Sequence, residues 1–208
     1  DPAKNIAIKA SNEGILTLAE FFDVTVAKKI LAEHQRTNIV MARNVIPHVK
    51  EIHSIVEGMS SLIDADGMVV IEFHYAKIIA EELHYDSIYH EHLFYFSIKS
   101  LAALFAQYGL YPFDAFTSPI SGGSLVLFFS NQQKELSPAL NRLLEVEEHS
   151  GLNERSTWQQ FGAKSEQHAC NLKRIVGEYT KSGTLIAYGA SARSSTLMNF
   201  AGISNSEI

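Results

Sequence analysis

Asn38-Ile39-Val40-Met41-Ala42, the stretch from Pro47 to Ile63, and Met68-Val69-Val70-Ile71 together decide the fold. The two apolar runs are short and rich in β-branched residues, and they read as buried strands. Between them Val49, Ile52, Ile55, Val56, Met59 and Leu62 recur at helical spacing. Strand, helical crossover and strand make a parallel pair, and Asp64-Ala65-Asp66-Gly67 supplies turn chemistry before the second strand. Toward the amino end, residues 3–12 read as a helix with Pro2 in its first turn. Ile15-Leu16-Thr17-Leu18 alternates as a short strand, and a helix runs from Val24 to His34. Toward the carboxyl end, Ser97 caps a helix that continues to Tyr108 and stops at Gly109. Leu110–Phe116 and Ser124–Phe129 read as a hairpin around Pro119, Gly122 and Gly123, closing the far edge of the sheet. Ser137–Glu148 and Thr157–Tyr179 are long polar-faced helices. Thr184-Leu185-Ile186-Ala187-Tyr188-Gly189 then reads as a strand entering a glycine turn and a new helix. The chain is therefore expected to be α/β, with residues 1–130 in one domain and 131–208 opening a second.

At 208 residues the chain can bury a substantial core. Its 46% hydrophobic and 19% charged residues are those of a globular protein rather than a disordered one. A net charge of -6 argues against a nucleic-acid surface, which needs clustered Lys and Arg. No apolar run approaches the ~20 residues needed to cross a bilayer. The lone Cys170 excludes an internal disulfide and a thiolate-rich zinc site, so a cytoplasmic setting fits best. Asp1-Pro2-Ala3 and the ending at Ile208 read as the ends of a segment from a longer protein.

The densest chemistry lies in Tyr85-Asp86-Ser87-Ile88-Tyr89-His90-Glu91-His92, followed by Leu93-Phe94-Tyr95-Phe96. An acid between two histidines beside aromatics suits proton transfer in a partly desolvated pocket. A turn after Glu91 lets Tyr89, Glu91 and His92 converge, with Glu91 holding the imidazole. A hydrogen-bonded structural loop is the plain alternative. A metal site using His90 and His92 with His74 or His84 is another, although no HExxH pattern or cysteine partner accompanies it. Asn44 and His48 follow one strand and Glu72–His74 the next, so they share the rim where such sheets carry active sites. His48 at a helix start favours a neutral ring able to donate to an oxyanion. Tyr188-Gly189-Ala190-Ser191-Ala192-Arg193-Ser194-Ser195 offers small residues, a helix start and one cation for an anion such as a diphosphate.

Tyr85-Asp86-Ser87-Ile88-Tyr89-His90-Glu91-His92-Leu93-Phe94-Tyr95-Phe96-Ser97-Ile98-Lys99-Ser100-Leu101, the earlier Asn44–Val49, the later Gly122–Leu125 and the run from Ile186 to Ile203 resemble one family. It is the class I S-adenosylmethionine-dependent C-methyltransferases of nucleotide-linked deoxysugars. The resemblance implies a truncated Rossmann-like methyltransferase sheet followed by the start of a nucleotide-sugar-binding α/β domain. It implies His92, Glu91, Tyr89 and His48 as catalytic residues, with His92 the general base. It places Asp1, Asn44 and Val45 at the cofactor S-adenosylmethionine, and Ser191, Arg193, Ser194 and Ser195 at the sugar nucleotide. No metal is implied. The glycine-rich cofactor loop would precede Asp1, so the isolated chain is expected to be weakly active or inactive. The rivals are a metal-dependent hydrolase using His90 and His92, and a non-catalytic nucleotide-sugar-binding module.

Overall fold

The computed structural model describes residues 2–208, apart from the side chain of Ser121. Four strands form one sheet in the order β1-β2-β4-β3. β1 (Thr37–Arg43) and β2 (Ile63–His74) run parallel, joined by α3 (Ile52–Leu62), as the periodicity predicts. β3 (Tyr111–Ser118) and β4 (Ser124–Ser130) are the antiparallel hairpin, and β4 inserts next to β2. Gly123 lets the hairpin pass against Ile78: its φ is 133°, and a Cβ there would stand 2.7 Å from Ile78 Cγ2.

Alternation along the strands chooses the packed face. Val69, Ile71 and Phe73 of β2 and Leu125, Leu127 and Phe129 of β4 are buried on one side. They pack with Ile55, Val56 and Met59 of α3 and with Ile98, Leu101 and Phe105 of α5 (Ile98–Ala106). The opposite face carries Ile39, Met41 and Phe116, all exposed. β1 is thus mostly exposed, with Ala42 its buried residue, where the sequence pattern suggested a buried strand.

The remaining helices are α1 (Lys4–Asn12), α2 (Val24–Glu33), α4 (Ala76–Glu81), α6 (Pro138–His149), α7 (Arg155–Tyr179) and α8 (Ala192–Ala201). Ser97 caps α5 in a reciprocal box with Ser100, and Ser191 caps α8 with Ser194 in the same way. Three further sequence expectations need correction. Residues 15–18 and 184–189 are irregular rather than strands, because a strand needs a neighbour for its backbone groups and neither has one here. Asp64–Gly67 is no separate turn. It lies within β2 where the β1–β2 register jumps from Thr37↔Ile63 to Ile39↔Met68.

A buried carboxylate ties α6 to the sheet layer. Glu147 of α6 is 2% exposed. It accepts from the Tyr75 hydroxyl at 2.7 Å and from the amides of Ile98 and Lys99 at 2.7 and 3.0 Å. Asn153 Nδ2 adds a fourth bond at 3.2 Å. The first-turn amides of α5, which lack partners within their own helix, are thereby satisfied.

Candidate active site

The parallel strands end together, and the chain leaves both tips to form a hollow of about 200 Å³. Asn44, Pro47 and His48 line it from the exit of β1, and His74 from the end of β2. Ser87, Tyr89, His92, Phe94 and Tyr95 close it from the loop after α4, and Arg193 from α8. Asn44 turns the chain with φ 51°, a left-handed conformation that asparagine tolerates better than most residues. Its amide donates to the Glu72 carbonyl at 2.8 Å. The amides of Leu93 and Phe94 both donate to the Pro47 carbonyl, at 2.8 and 3.2 Å, which stitches the two loops together. This brings the His48 and His92 rings to 4.7 Å between centroids.

Backbone carbonyls fix the protons of both rings. His48 Nδ1 lies 2.8 Å from the Glu91 carbonyl, and His92 Nδ1 lies 2.7 Å from the Ser87 carbonyl. A carbonyl only accepts, so each neutral ring carries its hydrogen on Nδ1 and a lone pair on Nε2. The Tyr89 hydroxyl donates toward His92 Nε2 at 3.4 Å, and Tyr95 donates to the His92 carbonyl at 3.2 Å. Burial pushes the His92 imidazole below its ordinary value, and the nearby His48 and Arg193 add to this. The Ser87 carbonyl and Glu91 oppose it. His92 is thus shaped as a neutral acceptor.

Two details depart from the sequence reading. Glu91 is exposed, and it meets the hollow through its backbone carbonyl rather than its carboxylate. Adjacent side chains in the turn point apart, so the Ser87 carbonyl takes the orienting place expected of Glu91. His48 cannot donate to an oxyanion as a neutral ring, because its one N–H is committed to Glu91.

Val45 is 40% exposed beside Asn44, while Asp1 lies outside the described residues. Among the expected sugar-nucleotide residues Arg193 alone lines the hollow. Its Nε and Nη2 form a two-point bond to Asp86, both at 2.9 Å. Ser191 and Ser194 spend their hydroxyls capping α8, and Ser195 is exposed. Of the aromatic run, Phe94 and Tyr95 line the hollow while Phe96 belongs to the core. Glu72 is 4% exposed and pairs with Arg43 at 2.5 Å, away from the hollow lining. His90 is exposed. Among the described residues no group of three or more His, Cys, Asp or Glu is arranged to hold a metal. No helix among them is long and apolar enough to cross a membrane.

Sequence reasoning placed His74 on the rim and gave it a role only as one possible ligand of the rival metal site. Nothing local signalled the Asp86–Arg193 pair, whose members stand 107 residues apart.

Residues 3–113 match the family model described as a methyltransferase domain, and residues 119–208 match the C-methyltransferase C-terminal domain. The C-methyltransferase NovU of Streptomyces niveus is 31% identical over 211 residues, covering all of this chain and 50% of that protein. The chain thus spans about half the length of the curated relative it matches. Among solved structures, a TehB-like SAM-dependent methyltransferase from Corynebacterium glutamicum aligns over 48% of this chain and 50% of its own. It is 17% identical, with a TM-score of 0.34. Magnesium protoporphyrin IX methyltransferase from Synechocystis, with bound SAH, aligns over 46% and 45%, at 11% identity and a TM-score of 0.36. With a methyltransferase-domain match over more than half its residues, the chain belongs to the methyltransferase-domain family, and its carboxyl-terminal residues are similar to the C-methyltransferase C-terminal domain.

Proposed function

We propose that this protein methylates a carbon next to the keto group of a nucleotide-linked 4-keto-deoxysugar, with His92 as general base. The observation that carries the reading is His92 in the lining of a hollow at the tips of parallel strands, its Nδ1 held by the Ser87 carbonyl so that Nε2 is left as the basic nitrogen. A carbon beside a ketone becomes nucleophilic only after losing a proton. His92 Nε2 takes that proton, and the positive ring that results is steadied by the Ser87 carbonyl at Nδ1. The Tyr89 hydroxyl, displaced from Nε2 by the incoming proton, turns to the enolate oxygen where charge has developed. His48, with its Nε2 free to accept, faces a hydroxyl of the sugar. Glu91 holds His48 through its carbonyl.

The residues present fit one end of the cofactor. Asn44 in its left-handed turn and the exposed Val45 leave the β1 exit open for the methionine portion. The acidic partner of the ribose is assigned to Asp1. When bound, S-adenosylmethionine supplies an electrophilic methyl group for the nucleophilic carbon. Arg193 is assigned to the diphosphate, with Ser191, Ser194 and Ser195 beside it at the start of α8. We assign residues 1–130 to the cofactor domain and 131–208 to the nucleotide-sugar domain. The family matches, which change between residues 113 and 119, support a division in that part of the chain.

The test is hydrogen exchange at the sugar carbon in deuterated water, measured in the complete enzyme. Wild type exchanges the hydrogen next to the keto group, and His92→Asn does not. Undiminished exchange in His92→Asn rejects His92 as the base.

A further inference from the structure

A second pair of imidazoles, His74 and His84, meets at the hollow, where His74 is part of the lining. His74 ends β2 and lines the hollow. Its Nε2 lies 3.3 Å from Nδ1 of His84, and Nε2 of His84 lies 3.2 Å from the Glu82 carboxylate. These contacts favour one order of protons. The nearby carboxylate favours the His84 hydrogen on Nε2, and in that tautomer the ring offers a lone pair at Nδ1. That lone pair needs a donor, and His74 Nε2–H supplies it. His74 is left with a bare Nδ1, which makes no hydrogen bond to any described residue.

The backbone is bent to hold this line. Leu83 has φ 59°, a left-handed conformation costly for a branched side chain. It ends α4 with the His84 amide bonded to the Ile79 carbonyl at 2.9 Å, and so aims the His84 ring at His74. Burial, joined by His84, Arg193 and His92, lowers His74 to about 4, with Asp86 opposing. Its ring therefore stays an acceptor at neutral pH.

We infer that His74 is a specificity-determining residue whose bare Nδ1 accepts a hydrogen bond from a ring hydroxyl of the substrate, held in that tautomer by the His84–Glu82 line. The inference rests on the ketosugar reading above and extends it. Imidazole lone pairs on His48 and His74, beside a His92 lone pair that meets the Tyr89 hydroxyl, suit a ligand that brings O–H donors, which a sugar does. An apolar ligand would leave those lone pairs buried and unmatched.

Nitrogen NMR of the complete enzyme labelled with ¹⁵N-histidine tests it. The expected result is a bare-nitrogen signal at His74 Nδ1, shifting when thymidine-diphospho-4-keto-6-deoxyglucose is added. Calorimetry with the same sugar and with its 2-deoxy and 3-deoxy analogues identifies the hydroxyl. His74→Leu should weaken the parent sugar roughly five- to tenfold and leave one deoxy analogue unchanged. His74→Asn, which can offer a carbonyl oxygen in place of Nδ1, should restore most of the loss. A protonated Nδ1 at His74 overturns the inference. So does a His74 signal that stays fixed while that of His92 moves on saturation, or a His74→Leu loss that is equal for all three sugars. Failure of the ketosugar reading has a different signature: no exchange at the sugar carbon, and no response at His92.

Discussion

The two histidine pairs of the hollow are held in contrasting ways. His48 and His92 give their Nδ1 hydrogens to backbone carbonyls, whereas His74 and His84 lean on each other and on the Glu82 side chain. A carbonyl cannot be mutated away or change its charge, so the first pair keeps its proton arrangement through most substitutions. The second pair depends on side chains and can be re-set by altering one of them. The hollow thus combines one imidazole pair set by the backbone with another set by side chains.

The largest expected effect breaks the fixed pair. His92→Asn should slow substrate hydrogen exchange by roughly 10²–10⁴-fold, read by mass spectrometry, while urea denaturation shows a much smaller change. Almost as large is the loss expected at a carboxylate gripped by backbone amides. Glu147→Ala should cost about 3–5 kcal/mol by denaturant melts, since it strands two helix-start amides and the Tyr75 hydroxyl.

The third prediction sharpens the contrast through pH. His74 has a folded value of about 4 against an ordinary 6.5. Between those values the unfolded chain binds more protons, so stability rises with pH across that window. The contribution is complete above pH 6.5 and lost as pH falls through 4. It amounts to at most about 3 kcal/mol. Melts of His74→Leu at pH 4.5 and 7.5 should differ by less than those of wild type, and equal pH slopes would refute the assignment. The smallest effect is expected at Ser87→Ala. It removes the 2.6 Å bond to the His84 carbonyl and should cost about 1 kcal/mol. The ¹⁵N signals of His92 should stay in place, because the Ser87 carbonyl remains.

Much of the fold was legible because it is encoded locally. The helical spacing of α3, the Ser97 cap and the glycine turn of the β3–β4 hairpin all arise from neighbours in sequence. Ile15–Leu18 and Thr184–Gly189 misled because strand patterning states a preference for extension and says nothing of a partner. Within the site, the shared rim of Asn44, His48 and His74 followed from the parallel pair. The orienting partner of His92 did not follow, since a carbonyl leaves no mark in a sequence. Nor did the grip of Arg193 on Asp86, which is set by the docking of α8 against the loop.

Glu147 has a consequence for recombining this protein with its relatives. It lies in the segment matched by the C-terminal family, while Tyr75, Ile98 and Lys99 lie in the segment matched by the methyltransferase domain. A chimera joined near residue 115 would inherit the acid from one parent and the groups it serves from the other. Where the parent of the carboxyl half lacks that acid, the amides that open α5 would lose their acceptor, and the seam would loosen before any substrate arrived.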